Sequence, residues 1–375
     1  MTIPFVDLKK QYENIAPLII SDIYTCIERG TFVGGYWVDT FQKAFAEFHD
    51  VNYCVGVGSG TDALLLSLLA LDIGPGDEVI VPANTFIATA FAVSHARAKV
   101  VFVDADPKTY NIDCEKIEEA ITDKTKAIIP VHLYGNPVDM KKVLEIANKY
   151  NLKVIEDCAQ AIGAVYNNQK VGTFGDIGAF SFYPTKNLGG LGQGGAIITD
   201  SKELADKIES LANVGRVKDS HYEYQYVGFN SRLDSINALF LYYCLNEIST
   251  WNFFRTFFAT LYNTGIDNIK NLDRQHTVRS KFKVSNVYHL YEVKCKSRNI
   301  RDSLQRYLKS NGVEAALHYP IPCHKQTAYK EYNKQVFPVA EELSKTLLSL
   351  PMHPNLSGEK VRFITVLLDN FLNGK

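Results

Sequence analysis

Between about residue 53 and residue 199, short apolar runs alternate with segments whose apolar positions recur at helical spacing. Residues 53–57, 78–81, 99–103, 127–131 and 153–156 are brief and rich in valine and isoleucine, and between them 61–71, 85–95, 113–121 and 139–150 carry the helical pattern. An apolar run without polar alternation suits a strand buried on both faces, and helices set between such strands imply a mostly parallel sheet. Two further strand-like runs, 177–182 and 196–199, follow. The pattern predicts an α/β architecture with a sheet of about seven strands.

After Ser201 the texture changes. Residues 232–265 are helical in tendency and aromatic, with Phe240, Tyr242, Tyr243, Trp251, Phe253, Phe254, Phe257, Phe258 and Tyr262. Such a stripe suits core or subunit interface better than a ligand site. A strand signal returns at Tyr288, then a helix at 300–310 and a short run at 312–317. These features predict a smaller C-terminal α+β domain, and a length of 375 residues fits about two domains. We place the division at 1–250, an N-terminal arm and large domain, and 251–375, the smaller domain.

Composition narrows the function classes. The 40 basic and 41 acidic residues nearly cancel, so nucleic acid is not an expected partner. Seven cysteines, an odd number with no CxxC pair, point to a reducing compartment and argue against a zinc ribbon, so no metal is expected. Met1 to Tyr12 lacks the form of a signal peptide, and the apolar stretch at 63–71 is half a membrane span at best. The expectation is a soluble cytoplasmic protein without a membrane partner.

Gly56-Val57-Gly58-Ser59-Gly60-Thr61-Asp62-Ala63 follows an expected strand and opens an expected helix. It satisfies the looser dinucleotide fingerprint, but the acids at the right distance, Asp77 and Glu78, stand at the beginning of their strand and would sit at the wrong end of the sheet. What survives is more general. A glycine-rich turn at a helix N-terminus offers free N–H groups to a phosphate. The same glycines also suit a plain tight turn capped by Ser59 or Thr61, and the loop alone leaves both readings open.

Val154-Ile155-Glu156-Asp157 ends a buried strand with two carboxylates, where open parallel sheets bind ligands. Further on, Ser181-Phe182-Tyr183-Pro184-Thr185-Lys186-Asn187 places a lysine after a strand and before the glycines 189, 190, 192, 194 and 195. Pyridoxal phosphate needs a phosphate cradle, a lysine to bind it covalently, and a carboxylate that keeps its pyridine nitrogen protonated. The sequence supplies all three at expected strand ends.

These segments, with Glu156-Asp157-Cys158-Ala159-Gln160-Ala161, resemble the DegT/DnrJ/StrS sugar-nucleotide aminotransferases. The resemblance runs from Phe5-Val6-Asp7-Leu8 to Leu350-Pro351-Met352-His353-Pro354. It implies the type I pyridoxal-phosphate fold, like aspartate aminotransferase, and a homodimer with shared active sites. By that resemblance Lys186 is the catalytic, cofactor-bonded lysine, Asp157 pairs with the pyridine nitrogen, Gln160 bonds the ring oxygen and Phe86 stacks on the ring. Ser59, Gly60, Thr61 and Ser181 hold the phosphate, and Asn230 reaches it from the neighbouring subunit.

Related sugar dehydratases carry histidine where Lys186 stands, so lysine implies transamination. Phe182-Tyr183-Pro184-Thr185-Lys186-Asn187-Leu188-Gly189 resembles the branch that aminates C-3 of dTDP-3-keto-6-deoxyhexoses with L-glutamate, releasing 2-oxoglutarate. Gln193 departs from that branch, which carries an acid there. Amination at C-4, a UDP-linked sugar, or a non-catalytic regulator on the same fold stay as alternatives. For the substrate side the candidates are Tyr183, Arg216, Arg232, Tyr319 and His324, the last two within His318-Tyr319-Pro320-Ile321-Pro322-Cys323-His324.

Overall fold

The computed structural model describes residues 2–278, 280–281 and 283–374; Met1 and Lys375, the outer ends of the two expected domains, lie outside it, as do Arg279 and Phe282. An N-terminal arm carries α1 (Leu8–Tyr12), α2 (Ala16–Arg29) and α3 (Tyr36–His49). The central sheet uses β1 (Tyr53–Val57), β2 (Glu78–Pro82), β3 (Lys99–Val103), β4 (Thr125–Ile128) and β5 (Lys153–Asp157). A small hairpin, β6 (Val165–Tyr166) and β7 (Gln169–Lys170), precedes the last two sheet strands, β8 (Ile177–Ser181) and β9 (Gly195–Thr199). Helices α4 (Gly60–Ala70), α5 (Ala88–His95), α6 (Met140–Tyr150) and α7 (Lys202–Ala212) connect or follow them.

The sheet order is β1-β9-β8-β5-β4-β2-β3, with β9 antiparallel to both its neighbours and the other strands parallel. Both faces are covered. Residues of α3, α6 and the first half of α8 (Ser235–Ile266) form one core against the sheet, and α4, α5 and α7 form the other. This is the α/β type I fold expected from the alternation of runs, and the unpatterned apolar strands are its cause.

Helix α8 crosses position 250. Its residues up to Trp251 lie in the sheet core, whereas Phe258, Ala259, Tyr262 and Ile266 join a separate C-terminal core. That core includes β11 (Tyr291–Cys295), β12 (Leu347–Leu350), α9 (Arg298–Ser310) and α11 (Gly358–Asn373); β10 (Leu272–Arg274) pairs with β11, and α10 (Pro338–Thr346) precedes β12. The proposed division near 250 therefore falls inside one continuous helix, and Ile3 of the arm packs into the C-terminal core. Of the aromatic stripe, Phe240, Trp251, Phe258 and Tyr262 are buried, while Phe253, Phe254 and Phe257 are exposed.

Three local expectations need correction. Residues 113–121 form two short 3-10 turns, Cys114–Lys116 and Glu118–Ala120, because Asp113 caps the first tightly through Glu115 N and Ile117 plugs the core between them. The strand expected at 127–131 ends at Ile128, and Val131 makes only an isolated bridge to Asp157. The strand signal at Tyr288 is realised only from Tyr291, and the short run at 312–317 makes isolated bridges, Val313 to Ile3 and Ala316 to Ser349.

Candidate active site

Strands β1, β2, β5 and β8 run in the same direction, so the loops after them meet along one edge of the sheet. They enclose a cavity of about 540 Å³, a size suited to a small cofactor with part of a substrate. Ser59, Gly60, Thr61, Phe86, Asp157, Gln160, Ser181, Tyr183, Lys186 and Tyr319 all line it.

One wall is the start of α4. Ser59 adopts an extended backbone and its hydroxyl accepts from Asp62 N at 3.1 Å, as an N-cap does. The first N–H groups of the helix are left without helical partners and carry its positive dipole end. Gly60 lies so close to Ser181 that an added Cβ would stand 2.6 Å from the serine Cβ. The glycine lets helix start and strand end close into one concave donor surface, which fits a phosphate group.

The carboxylate comes from β5, where successive side chains face opposite sides. Asp157 faces the cavity: its carboxylate accepts from Thr89 Oγ1 at 2.8 Å and Ala159 N at 3.1 Å. Burial pushes its pKa up, and these two bonds and the Lys186 charge oppose the rise. Glu156 faces the opposite core, where it accepts from His132 Nε2 and from the N–H groups of Gly172, Phe174 and Gly175, at 2.7 to 3.0 Å. His132 Nδ1 in turn accepts from Val138 N at 3.0 Å, which places the ring proton on Nε2. His132, Glu156 and Cys158 have potential metal-ligand atoms within 4.8 Å of one another, but these bonds already occupy the first two. Burial holds the Cys158 thiol well above its usual pKa.

The lysine stands on a braced turn. Lys186 N donates to Tyr183 O, Gly190 N to Phe182 O, and buried Asn187 donates to Asn252 Oδ1 of α8 and to Val287 O. Gly190 sits against the Asn237 amide with no room for a Cβ. Lys186 is half-buried at the cavity wall, and burial lowers its pKa to about 8 while Asp157 pulls it upward. A lysine so placed holds a substantial neutral fraction near neutral pH, which nucleophilic attack requires.

Gln160 Oε1 accepts from Tyr134 N at 2.6 Å and its Nε2 donates to Tyr319 Oη at 3.0 Å, while the Phe86 ring centroid lies 5.6 Å from that of Tyr319. Four expected residues do not line the cavity. Asn230 and Arg232 are exposed and hydrogen-bonded to each other at 2.8 Å, and Arg216 lies on the neighbouring bridge to Tyr224. His324 is a correction. It is fully buried between Phe102 and Phe337, with Nε2 3.1 Å from Glu341 Oε1.

His318 takes the place expected of His324, and His289, Thr85, Thr89 and Gln193 complete the wall. Burial and the nearby Lys186 charge push the His318 pKa down to about 4, and burial drives His289 well below its usual value. Thr85 and Thr89 had a signal, a pair four residues apart just after a strand, but nothing local marks which of two histidines in one proline-rich segment turns inward.

The paired carboxylate and lysine under a helix start have the chemistry that pyridoxal phosphate needs, and comparison with known proteins shows the class of enzyme. The chain belongs to the DegT/DnrJ/EryC1/StrS aminotransferase family, whose profile matches residues 13–368. It is 44% identical over 369 residues to a dTDP-3-amino-3,6-dideoxy-alpha-D-galactopyranose transaminase of Aneurinibacillus thermoaerophilus, covering 98% of this chain and 99% of that protein. It is 41% identical to a UDP-N-acetyl-3-dehydro-alpha-D-glucosamine 3-aminotransferase of Acidithiobacillus ferrooxidans, covering 99% and 98%. Its fold superposes with a TM-score of 0.91 on NtdA from Bacillus subtilis with bound cofactor PMP, 32% identical, over 99% of this chain and 85% of that one. The protein is a pyridoxal-phosphate-dependent sugar aminotransferase.

Proposed function

We propose that the enzyme transfers an amino group from L-glutamate to C-3 of a dTDP-linked 3-keto-6-deoxyhexose, in the cytoplasm, for amino-deoxy sugars destined for glycans such as lipopolysaccharide. The observation that carries the chemistry is the single cavity that Lys186, Asp157 and the start of α4 share. The dTDP-linked C-3 substrate is supported by the 44% relative. A UDP-linked 3-keto sugar is the second reading, supported by the relative at 41%.

In this reading Ser59, Gly60, Thr61 and Ser181 would hold the phosphate of the cofactor, and Phe86 would stack on its ring. Asp157 meets the pyridine nitrogen, and Gln160 the ring oxygen. When bound, pyridoxal phosphate supplies the electron sink and carries the amino group between donor and acceptor. Lys186 Nζ would bond the cofactor, and the same nitrogen would move a proton at the sugar carbon. Its lowered pKa keeps that nitrogen ready to accept the proton. Tyr183, Phe86 and Tyr319 put aromatic surface into the cavity wall, which would limit water there.

The active unit is a homodimer. Asn230, with Arg232 beside it, reaches the phosphate of the neighbouring subunit, and Arg216 meets the nucleotide phosphates. The support is that Asn230 sits off its own cavity beside the exposed apolar side chains of Val227 and Phe229.

The test is an assay with L-glutamate and either a dTDP-linked 3-keto-6-deoxyhexose or a UDP-linked 3-keto sugar, read by mass and by NMR of the aminated carbon. The expected result is 2-oxoglutarate and a C-3 amine on the dTDP sugar. Turnover of the UDP sugar alone, or an amine at C-4, would overturn the assignment.

A further inference from the structure

Behind His318 lies a buried carboxyl that the mechanism above leaves unused. Glu292 on β11 and Ser349 on β12 are cross-strand partners, both almost fully buried. Ser349 Oγ lies 2.6 Å from His318 Nδ1 and donates to Glu292 Oε1. The second carboxyl oxygen, Oε2, has no partner among the described residues. The segment before His318 is fixed to the same serine, since Ala316 and Ser349 exchange backbone bonds of 3.1 and 2.9 Å. The His318 ring stacks on Phe5 at 5.7 Å, and its carbonyl accepts from Tyr134 Oη.

We propose that Glu292 and Ser349 are positioning residues that set, by the proton on the Glu292 carboxyl, which ring nitrogen of His318 carries hydrogen at the cavity wall. With Glu292 ionised, Ser349 donates to it and accepts from His318 Nδ1–H, so Nε2 presents a lone pair. When Nε2 takes a proton from the cavity side, the Nδ1 proton passes to Ser349 Oγ and the serine proton passes to Glu292 Oε1. One proton enters, and histidine stays neutral in both states. The carboxyl stores the proton without a second positive charge beside Lys186.

The electrostatic setting is consistent with this. Burial raises Glu292 to about 8 and lowers His318 to about 4, so the carboxyl titrates near neutrality and the imidazole does not. The Glu292 charge bears on Tyr110, Tyr134 and Tyr319, the Lys186 charge bears on His318, and His318 in turn bears on His289.

The effect on turnover rests on the aminotransferase reading, but the proton arrangement is measurable apart from it. Nitrogen-15 NMR of histidine-labelled holoenzyme, with His318 assigned by His318→Asn, is followed from pH 6 to pH 10. His318 should carry its hydrogen on Nε2 at low pH and on Nδ1 at high pH, with a midpoint near 8. Glu292→Gln and Ser349→Ala should each remove that transition, and Lys186→Met should keep it, which separates the transition from any proton change at Lys186. One tautomer throughout in the wild type, or a transition that survives Glu292→Gln, would overturn the proposal and leave the aminotransferase assignment standing.

Discussion

Lys186 is held where its charge is costly, and that cost has a sign that can be measured. Its pKa in the folded chain is about 8, against 10.5 for a solvated lysine. Below pH 8 the folded state bears a desolvated ammonium, and the penalty is relieved as pH climbs from 8 toward 10.5, where the unfolded chain still holds the proton. Because the ammonium keeps some access to water, the expected penalty is about 1–3 kcal/mol. Lys186→Met should therefore raise the stability of cofactor-free protein by that amount at pH 7 in urea titrations, with the gain fading toward pH 10. A variant no more stable than wild type at pH 7 would mean that the ammonium is solvated in solution. Gly60 makes the opposite kind of prediction. Its missing Cβ leaves room for Ser181, so Gly60→Ala should cost about 1–3 kcal/mol through overpacking and lower pyridoxal-phosphate affinity at least tenfold. Absorbance titration with the cofactor, beside a thermal melt, separates the two effects.

At the level of elements, β5 divides two carboxylates by its pleat, giving Asp157 to the cavity and Glu156 to the core. Glu156 ties residues 172–175 beneath the sheet through three backbone N–H groups and His132. Glu156→Gln turns one acceptor into a donor facing donors, so it should destabilise the fold by about 2–4 kcal/mol in urea titrations. Cofactor affinity should change less than threefold, and a loss of cofactor without loss of stability would count against this division of roles. Sequence distinguished that pair only through the family resemblance, since both acids end the same apolar run. The sheet was legible because each of its strands is a short apolar run, most of them set apart by helices or turns. The details that shape the cavity were not. Helix α5 begins at Ala88, three residues after the start of the expected helix at 85, and the freed turn brings Thr85 and Phe86 to the cavity. His318 and His324 share one local context, and only distant partners separate them: Ser349 holds the first and Glu341 with Phe337 the second. Such contacts leave no period in the sequence.

The whole molecule raises the question of whether one chain makes one site. The cavity of a single chain carries Lys186, Asp157 and the α4 start, whereas Asn230 projects from the exposed segment after α7. If two chains complete each other's sites, each site takes its lysine from one subunit and its Asn230 from the other. Asn230→Asp would then set a carboxylate against the phosphate, and Lys186→Ala would remove the nucleophile, so each homodimer should be inactive. After the two variants are unfolded together and refolded, half of the dimers should be mixed. A mixed dimer has one site with both defects and one site with neither, because both intact residues come together across the interface. Activity should reappear at about a quarter of the wild-type sites. If each chain instead bound the phosphate with its own Asn230, every site in the mixture would carry one defect. No activity would return, and the cross-subunit assignment of Asn230 would fail even with the dimer intact.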